Sequence, residues 1–157
     1  MPREVRPALE ARDHRFCIVA ARFNESLVRR LVDAAVEVLR GRGVLEGAVE
    51  VWWVPGSFEL PLASRWAAET KRFDAVLAFG VLIRGETEHF RLIAEAVTSG
   101  LQRVSLDTGV PVLHGVLAVH ETAAAEARAG GAVGNRGAEV ALAAVQMAAL
   151  RRAAGAR

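Results

Sequence analysis

The fold is decided by the stretch Gly80-Val81-Leu82-Ile83-Arg84-Gly85-Glu86-Thr87-Glu88-His89-Phe90. The apolar run from Ala75 to Val81 leads into it and predicts a buried strand. A helical pattern follows from His89, with apolar residues at Phe90, Ile93, Ala94, Val97 and Leu101. The turn between them therefore carries the chain from the carboxyl end of a strand to the N-terminus of a helix, where free backbone amides and the helix dipole favour an anion.

The side chains of this turn suggest more than anion binding. Gly85 allows a ligand to approach the backbone closely. Thr87 supplies a hydroxyl and Arg84 a positive charge, and His89 is a group that can move protons near neutral pH. Phosphate binding combined with proton transfer is the chemistry that the stretch predicts, although a single histidine is more often an ordinary surface or core residue.

Composition places the chain among single-domain proteins. It has 157 residues, of which 52% are hydrophobic, so one full core is expected. We expect a domain over residues 14–157, preceded by an N-terminal arm at 1–13. The formal charge is only +2 and the arginines are scattered, which argues against nucleic acid or a membrane surface as a partner.

Cysteine and histidine usage limits the possible sites. The single cysteine, Cys17, excludes an internal disulfide framework and a cysteine-based metal cluster. No two of the four histidines have the helical spacing of metal ligands, so we expect no metal. The N-terminus lacks the apolar region of a signal peptide, and the apolar runs are too short to cross a bilayer, so a cytoplasmic protein is expected.

Strand and helix patterns alternate along the whole chain. The predicted strands are Phe16–Ala21, Val49–Val54, Ala75–Val81 and Pro111–Leu117, and helical patterns follow each of them. We expect Asn24 to cap the first helix and Asn135 the last, and Gly100 to be a weak point of the helix that begins at His89. This alternation predicts a three-layer α/β/α fold, a flavodoxin-like four-stranded parallel sheet with helices on both faces. Ligands of such folds bind beyond the carboxyl ends of the strands.

The turns after the first two strands carry candidate binding residues. Phe23 could stack on a planar heterocycle, or it could form a hydrophobic staple on the following helix. Ser57 and Phe58 offer backbone amides, a hydroxyl and a ring. Glu59 could accept hydrogen bonds from sugar hydroxyls, or it could only complement the dipole of its helix. Arg128 could reach an anion, although most arginines in such places are solvated.

Five motifs together resemble the 6,7-dimethyl-8-ribityllumazine synthase family, in the order and spacing of that family over about residues 14–152. The motifs are Arg22-Phe23-Asn24; Val54-Pro55-Gly56-Ser57-Phe58-Glu59-Leu60-Pro61; the Gly80–Phe90 stretch; Thr108-Gly109-Val110-Pro111-Val112; and Arg128-Ala129-Gly130 running to Gly134-Asn135-Arg136-Gly137.

The resemblance implies a condensation of 5-amino-6-(D-ribitylamino)uracil with 3,4-dihydroxy-2-butanone 4-phosphate, without a metal or an organic cofactor. It implies that His89 is the proton shuttle. The residues that would bind ribitylaminouracil are Phe23, Ser57, Phe58, Glu59, Val81, Leu82, Ile83 and His114. The residues that would bind the butanone phosphate are Glu86, Thr87 and Arg128.

The resemblance also implies a homo-oligomer with active sites between subunits. The expected assembly is a pentamer, and the short link from Gly130 to Gly137 favours the sixty-subunit icosahedral shell of some members. The N-terminal arm would add a strand to a neighbouring subunit, and riboflavin synthase is a candidate partner.

Several positions depart from the family pattern. His114 stands where an apolar residue is usual, Glu86 replaces a small residue near the phosphate, and Arg91 replaces an acidic residue. These changes leave open a diverged assembly that holds a flavin or lumazine without turnover. The alternation of strands and helices alone would also permit a flavodoxin-like redox or signalling protein.

Overall fold

Four parallel strands form the centre of the fold. The computed structural model describes residues 1–156, and its strands are β1 (Phe16–Ala21), β2 (Val49–Val54), β3 (Ala75–Ile83) and β4 (Val112–Val119). They are ordered β2-β1-β3-β4, and every neighbouring pair is parallel. The predicted flavodoxin-like sheet is therefore confirmed, and all four carboxyl ends open towards one edge of the molecule.

Within residues 1–156, five α-helices cover the two faces of this sheet. They are α1 (Glu25–Gly41), α2 (Leu60–Glu69), α3 (His89–Thr108), α4 (Thr122–Arg128) and α5 (Arg136–Ala153). One buried cluster lies between the sheet and α1 with α5, and a second lies between the sheet and α2 with α3. Side chains alternate between the clusters along each strand, as for Ile18 and Val19 in β1, so the strands are apolar throughout.

Two local differences from the predicted elements have simple causes. The helical pattern around Gly100 suggests a weak point, but α3 continues through it. A Cβ atom at Gly100 would lie 2.8 Å from Cγ of Pro61, so the glycine serves the close packing of α3 on α2. The sequence pattern also does not predict the short antiparallel pair β5 (Ala129–Gly131) and β6 (Gly134–Asn135).

The two predicted asparagine caps have different outcomes. Asn135 caps α5 as expected, since its side-chain oxygen accepts hydrogen bonds from the amides of Gly137 and Ala138. Asn24 occupies the N-cap position of α1, but its side chain makes no capping hydrogen bond, so the prediction of a side-chain cap is wrong. Asn24 adopts a left-handed conformation with φ of 61°, and its side-chain amide donates to the carbonyl of Val81 at 2.7 Å instead.

The N-terminal segment joins the body of the protein at its last residues. Residues 1–10 form no strand or helix within this chain. Ala11 is buried, and its amide donates to the carbonyl of Arg42 at 2.9 Å. The first ten residues are thus held by few contacts of their own chain. Among residues 1–156, no helix has both the length and the apolar character needed to cross a membrane.

His14 should make folding stability depend on pH. It is 5% exposed, and its Nδ1 atom has no hydrogen-bond partner within residues 1–156. Burial lowers the pKa of His14, and the nearby Arg152 lowers it further, against the opposing effect of Asp74 and Asp13. The ordinary pKa of a histidine is 6.5, so as the pH falls the unfolded chain takes up a proton at His14 before the folded chain does. We therefore expect the free energy of unfolding to fall as the pH drops from about 7.5 to 5.5.

Chemical denaturation at these two pH values, at one protein concentration, measures the effect. A His14→Gln variant, which cannot be protonated at this position, should lose less stability over the same interval than the wild type. Equal losses in both proteins would assign the pH dependence to other groups.

Candidate functional site

An open cavity of about 500 Å³ lies beyond the carboxyl ends of β1, β2 and β3. Each of the three turns that leave these strands contributes to it, and the first turn of α3 closes one side. The lining residues are Phe23, Pro55, Gly56, Ser57, Phe58, Glu59, Leu82, Ile83, Gly85, Thr87, His89, Phe90 and Ile93. The structure thus brings most of the residues suggested by the sequence into one cavity, at the edge where parallel sheets bind ligands.

Hydrogen bonds fix the three turns against one another. The amide of Arg22 donates to the carbonyl of Val54 at 2.8 Å, and the amide of Phe23 donates to the carbonyl of Pro55 at 3.1 Å. The side chain of Asn24 ties the same turn to β3 through Val81. The cavity is therefore shaped by backbone contacts between strand ends, which leave the side chains of the turns free to face a ligand.

Two aromatic rings stand at the cavity with most of their surface in solvent. Phe23 is 70% exposed and Phe58 is 65% exposed. Rings of this size are normally covered in a folded chain, and an exposed pair beside a cavity is typical of a surface that a flat ligand or a second subunit covers. The hydrophobic-staple interpretation of Phe23 fits poorly with this exposure.

The turn after β2 lies directly on β3. Ser57 is buried, and a Cβ atom added to Gly80 would fall on the Ser57 hydroxyl. Gly80 is therefore needed for the close approach of this turn to the sheet. Glu59 is exposed at the cavity, one residue before α2 begins, and its carboxylate forms no ion pair within residues 1–156.

His89 is exposed at the start of α3, with Thr87 beside it. The Thr87 hydroxyl accepts a hydrogen bond from the amide of His89 at 3.4 Å. A Cβ atom on Gly85 would meet nothing within 4 Å, so the chain leaves open space above this part of the turn. The free amides at this helix N-terminus, the hydroxyl and the imidazole can together receive an anion and exchange a proton with it.

Two further predicted residues lie in this region without lining the cavity. The Val81 side chain is fully buried in the cluster under α1 and α5, on the opposite face from Leu82. Because successive side chains of a strand alternate, Val81 can contact a ligand only through its backbone. Glu86 is exposed on the turn, and its side chain does not line the cavity.

His114 and Arg128 lie elsewhere in the chain. His114 is half-buried on the edge strand β4, with Nε2 3.0 Å from the Thr98 hydroxyl. Burial lowers the pKa of His114, a hydrogen bond with its own backbone opposes this effect, and the positive charge of Arg136 adds to the lowering. Arg128 donates to the carbonyl of Ala124 at 3.0 Å and lines a separate cavity of about 280 Å³ together with Arg136.

A larger cavity, of about 650 Å³, is not a good candidate site. It lies at the opposite end of the sheet, near Phe73 and Val110, which precede β3 and β4. Its walls are mostly the ends of α2 and α3, including Glu69 and Asp107. It contains no aromatic pair or proton-transfer group of the kind found at the carboxyl ends.

Sequence reasoning missed two apolar residues of the site. Phe90 and Ile93 line the cavity from the first turns of α3. Ile93 is four residues after His89, so the two side chains lie on the same side of the helix. That spacing is a usable signal, although apolar residues at these positions equally indicate the buried face of a helix.

Comparison with known proteins agrees with this arrangement. Residues 13–152 match the family model described as 6,7-dimethyl-8-ribityllumazine synthase. A protein of that name from Halorhodospira halophila is 49% identical over 140 residues, covering 89% of this chain and 90% of the relative. A second, from Stenotrophomonas maltophilia, is 48% identical over 133 residues, which are 85% of this chain and 86% of the relative. A third, from Chlorobium luteolum, is 39% identical over 150 residues, which are 96% of this chain and 97% of the relative.

Proposed function

The chain belongs to the 6,7-dimethyl-8-ribityllumazine synthase family, and from this premise we propose that it condenses 5-amino-6-(D-ribitylamino)uracil with 3,4-dihydroxy-2-butanone 4-phosphate. The products are 6,7-dimethyl-8-ribityllumazine, phosphate and water. The observation that best supports the proposal is the cavity at the strand ends, where exposed rings, a carboxylate and a helix N-terminus with an imidazole meet.

The ribitylaminouracil would occupy the aromatic part of the cavity. We assign Phe23 to stacking on the pyrimidinedione, because its ring is exposed at the cavity. The Ser57 and Phe58 backbones would hold the edge of the heterocycle, with Leu82 and Ile83 beneath it. Glu59 would accept hydrogen bonds from ribityl hydroxyls, as a carboxylate without an ion pair of its own can do.

The butanone phosphate would place its anion at the turn before α3. The amides of Glu86 and Thr87 would donate to the phosphate, and its reactive carbon would then lie near His89. The Glu86 carboxylate would point away, since a carboxylate facing the phosphate would repel it.

His89 would carry protons between the reacting groups. The aromatic amine attacks the ketone carbon, and the loss of water leaves a Schiff base. A proton must then leave the substrate carbon next to the imine as the phosphate group departs with the C–O bonding electrons. The enol left by this elimination takes up a proton at its terminal carbon and becomes a ketone, which the ribitylamino nitrogen attacks, and loss of a second water closes the ring of the lumazine. The imidazole of His89 is the group in the cavity that can first accept and later return the proton.

The site would be completed by a second subunit. Arg128 lines a different cavity of its own chain, which favours a role for its guanidinium at the phosphate of another copy. We therefore propose that Arg128 and His114 act on the site of a neighbouring copy in a homo-oligomer, a pentamer that assembles further into a sixty-subunit shell.

Exposed apolar side chains support such an assembly. Leu62, Trp66, Leu92 and Leu106, on α2 and α3, are all more than half exposed. Unpartnered apolar surface of this extent is typical of a subunit interface. The outer edge of β2 is unpaired within the described chain, so the arm at residues 1–13 of another copy could add a strand there. Riboflavin synthase is proposed as a partner from the resemblance alone, which co-purification would test.

Incubation of the assembled protein with both substrates tests the function directly. Formation of the lumazine, followed by its absorbance and fluorescence, should exceed the uncatalysed rate. The absence of product above that rate, from protein whose particle mass shows an oligomer, would reject the proposal.

An Arg128→Ala variant tests the shared site. We expect KM for the butanone phosphate to rise about tenfold or more, because a charge-assisted hydrogen bond to the phosphate is lost. KM for ribitylaminouracil should change much less. Steady-state kinetics with each substrate varied in turn gives both values, and Arg103→Ala, at an exposed position on α3, is the control. An unchanged KM for the butanone phosphate would show that Arg128 does not reach it.

A further inference from the structure

A second cavity, of about 280 Å³, lies on the other flank of the turn that precedes α3. Thr87 and Phe90 line both this cavity and the larger one beside it. Its remaining walls are the side chains of Arg84, Glu88, Arg91 and His120. The reacting groups of the proposed site and this cationic cavity are thus separated only by the residues of one turn.

Strand pairing builds the cavity from two different segments. Ile83 at the end of β3 is paired with Val119 at the end of β4, and the amide of Arg84 donates to the carbonyl of Val119 at 2.9 Å. Arg84 and His120, the next residues of the two strands, are therefore held side by side. The His120 ring packs at a tilt on Phe90, with 6.1 Å between ring centroids.

The two arginines of this cavity are only weakly compensated by carboxylates of the chain. Arg84 forms no ion pair within residues 1–156. Arg91 contacts Glu88 at 3.2 Å and Glu95 at 3.4 Å, but all three side chains are more than 60% exposed. Ion pairs with this exposure are weak, so Arg91 can exchange a carboxylate for a more highly charged anion. The imidazole of His120 supplies an N–H donor in either tautomer.

We propose that this cavity is a second anion site that binds a phosphate dianion through Arg84, Arg91 and His120. A guanidinium group can donate two parallel hydrogen bonds to two oxygens of one phosphate. Such charge-assisted hydrogen bonds are about twice as strong as those between neutral groups. Glu88 opposes the binding, because it brings a negative charge to the cavity and competes for Arg91. The ligand is either inorganic phosphate or the phosphate group of an ester, and the second alternative rests on the proposed function.

Titration of the assembled protein with inorganic phosphate, followed by phosphorus NMR or calorimetry, measures the site without turnover. We expect Arg84→Gln and Arg91→Gln each to weaken binding about five- to tenfold, since each removes a charge-assisted contact. Glu88→Gln should strengthen binding, about threefold, because it removes the competing carboxylate. Two changes of opposite sign at neighbouring positions are not expected from a general loss of structure.

Arg103→Gln is the matched control for loss of an arginine. Arg103 is on the same helix, pairs with Asp107, and lies about 18 Å along the helix from Arg91. Its substitution should leave phosphate binding unchanged. The proposal is overturned if the wild type binds no phosphate, or if the variants at Arg84 and Arg91 bind it as the wild type does.

Steady-state kinetics separates the two sources of the phosphate group. If the cavity receives the ester, Arg84→Gln raises KM for the butanone phosphate, and saturating butanone phosphate displaces the phosphate whose binding depends on Arg84. If it receives only inorganic phosphate, that KM is unchanged and the phosphate whose binding depends on Arg84 stays bound. A protein that binds phosphate here but forms no lumazine would reject the proposed function alone, whereas an active protein that fails the titration would reject only this site.

Discussion

Replacing His89 by alanine should lower kcat about 100-fold, towards the lower end of what a positioned acid–base group contributes. A value near the lower end of this range is expected because His89 is exposed, so water can carry part of the proton transfer when the imidazole is removed. KM for both substrates should change little, since the stacking rings and the turn amides remain. Rapid-mixing or steady-state assays of lumazine formation measure the change.

Chemical rescue distinguishes proton transfer from a merely structural role. The cavity is open to solvent at His89, so added imidazole should restore part of the rate in the alanine variant. The particle mass should equal that of the wild type, because the His89 side chain makes no hydrogen bond within residues 1–156. A kcat equal to that of the wild type, or a full loss of rate that imidazole does not restore, would contradict the assigned role.

Much of the fold could be predicted because the strands are apolar on both faces. The bounds of β1 and β2 agree with the predicted Phe16–Ala21 and Val49–Val54. Trp52 and Trp53 pack on opposite faces, as adjacent strand residues must. The order β2-β1-β3-β4 could not be obtained in this way, because the order depends on which strands pair and not on the pattern within any one strand.

The candidate site was predicted in part because its residues follow strand ends directly. Phe23, Ser57 and His89 occupy turns whose position is set by the sheet, so they converge on one cavity. Asn24 was misinterpreted because its type suits both a helix cap and a left-handed turn. The left-handed turn forms because the Asn24 side chain donates to the carbonyl of Val81. That carbonyl is distant in the chain, so no local sequence pattern indicates the contact. The β5–β6 pair is missed for a similar reason, because Gly130-Gly131 equally indicates the end of a helix, and the positive φ of Gly130 and Gly134 cannot be read from the sequence.

Replacing Gly137 by alanine should destabilise the protein by about 3 kcal/mol and lower its Tm by about 10 °C. Gly137 is buried in the first turn of α5, against α1. A Cβ atom at this position would lie 2.0 Å from the carbonyl oxygen of Leu31 and 2.8 Å from its Cα. Backbone atoms in the middle of a helix cannot move aside as a flexible side chain can, so α1 and α5 must separate and lose packing along their length. Thermal and chemical denaturation measure the loss.

Helix propensity alone predicts the opposite sign, which makes the experiment decisive. Alanine is favoured over glycine within a helix by about 1 kcal/mol, so without the contact to Leu31 the variant would be more stable. Gly41 at the end of α1 is the matched control, because a Cβ atom there would meet nothing within 4 Å. Gly41→Ala should leave stability unchanged or raise it slightly. If Gly137→Ala also leaves stability unchanged or raises it, the close approach of α5 to α1 at this position does not determine the stability of the protein.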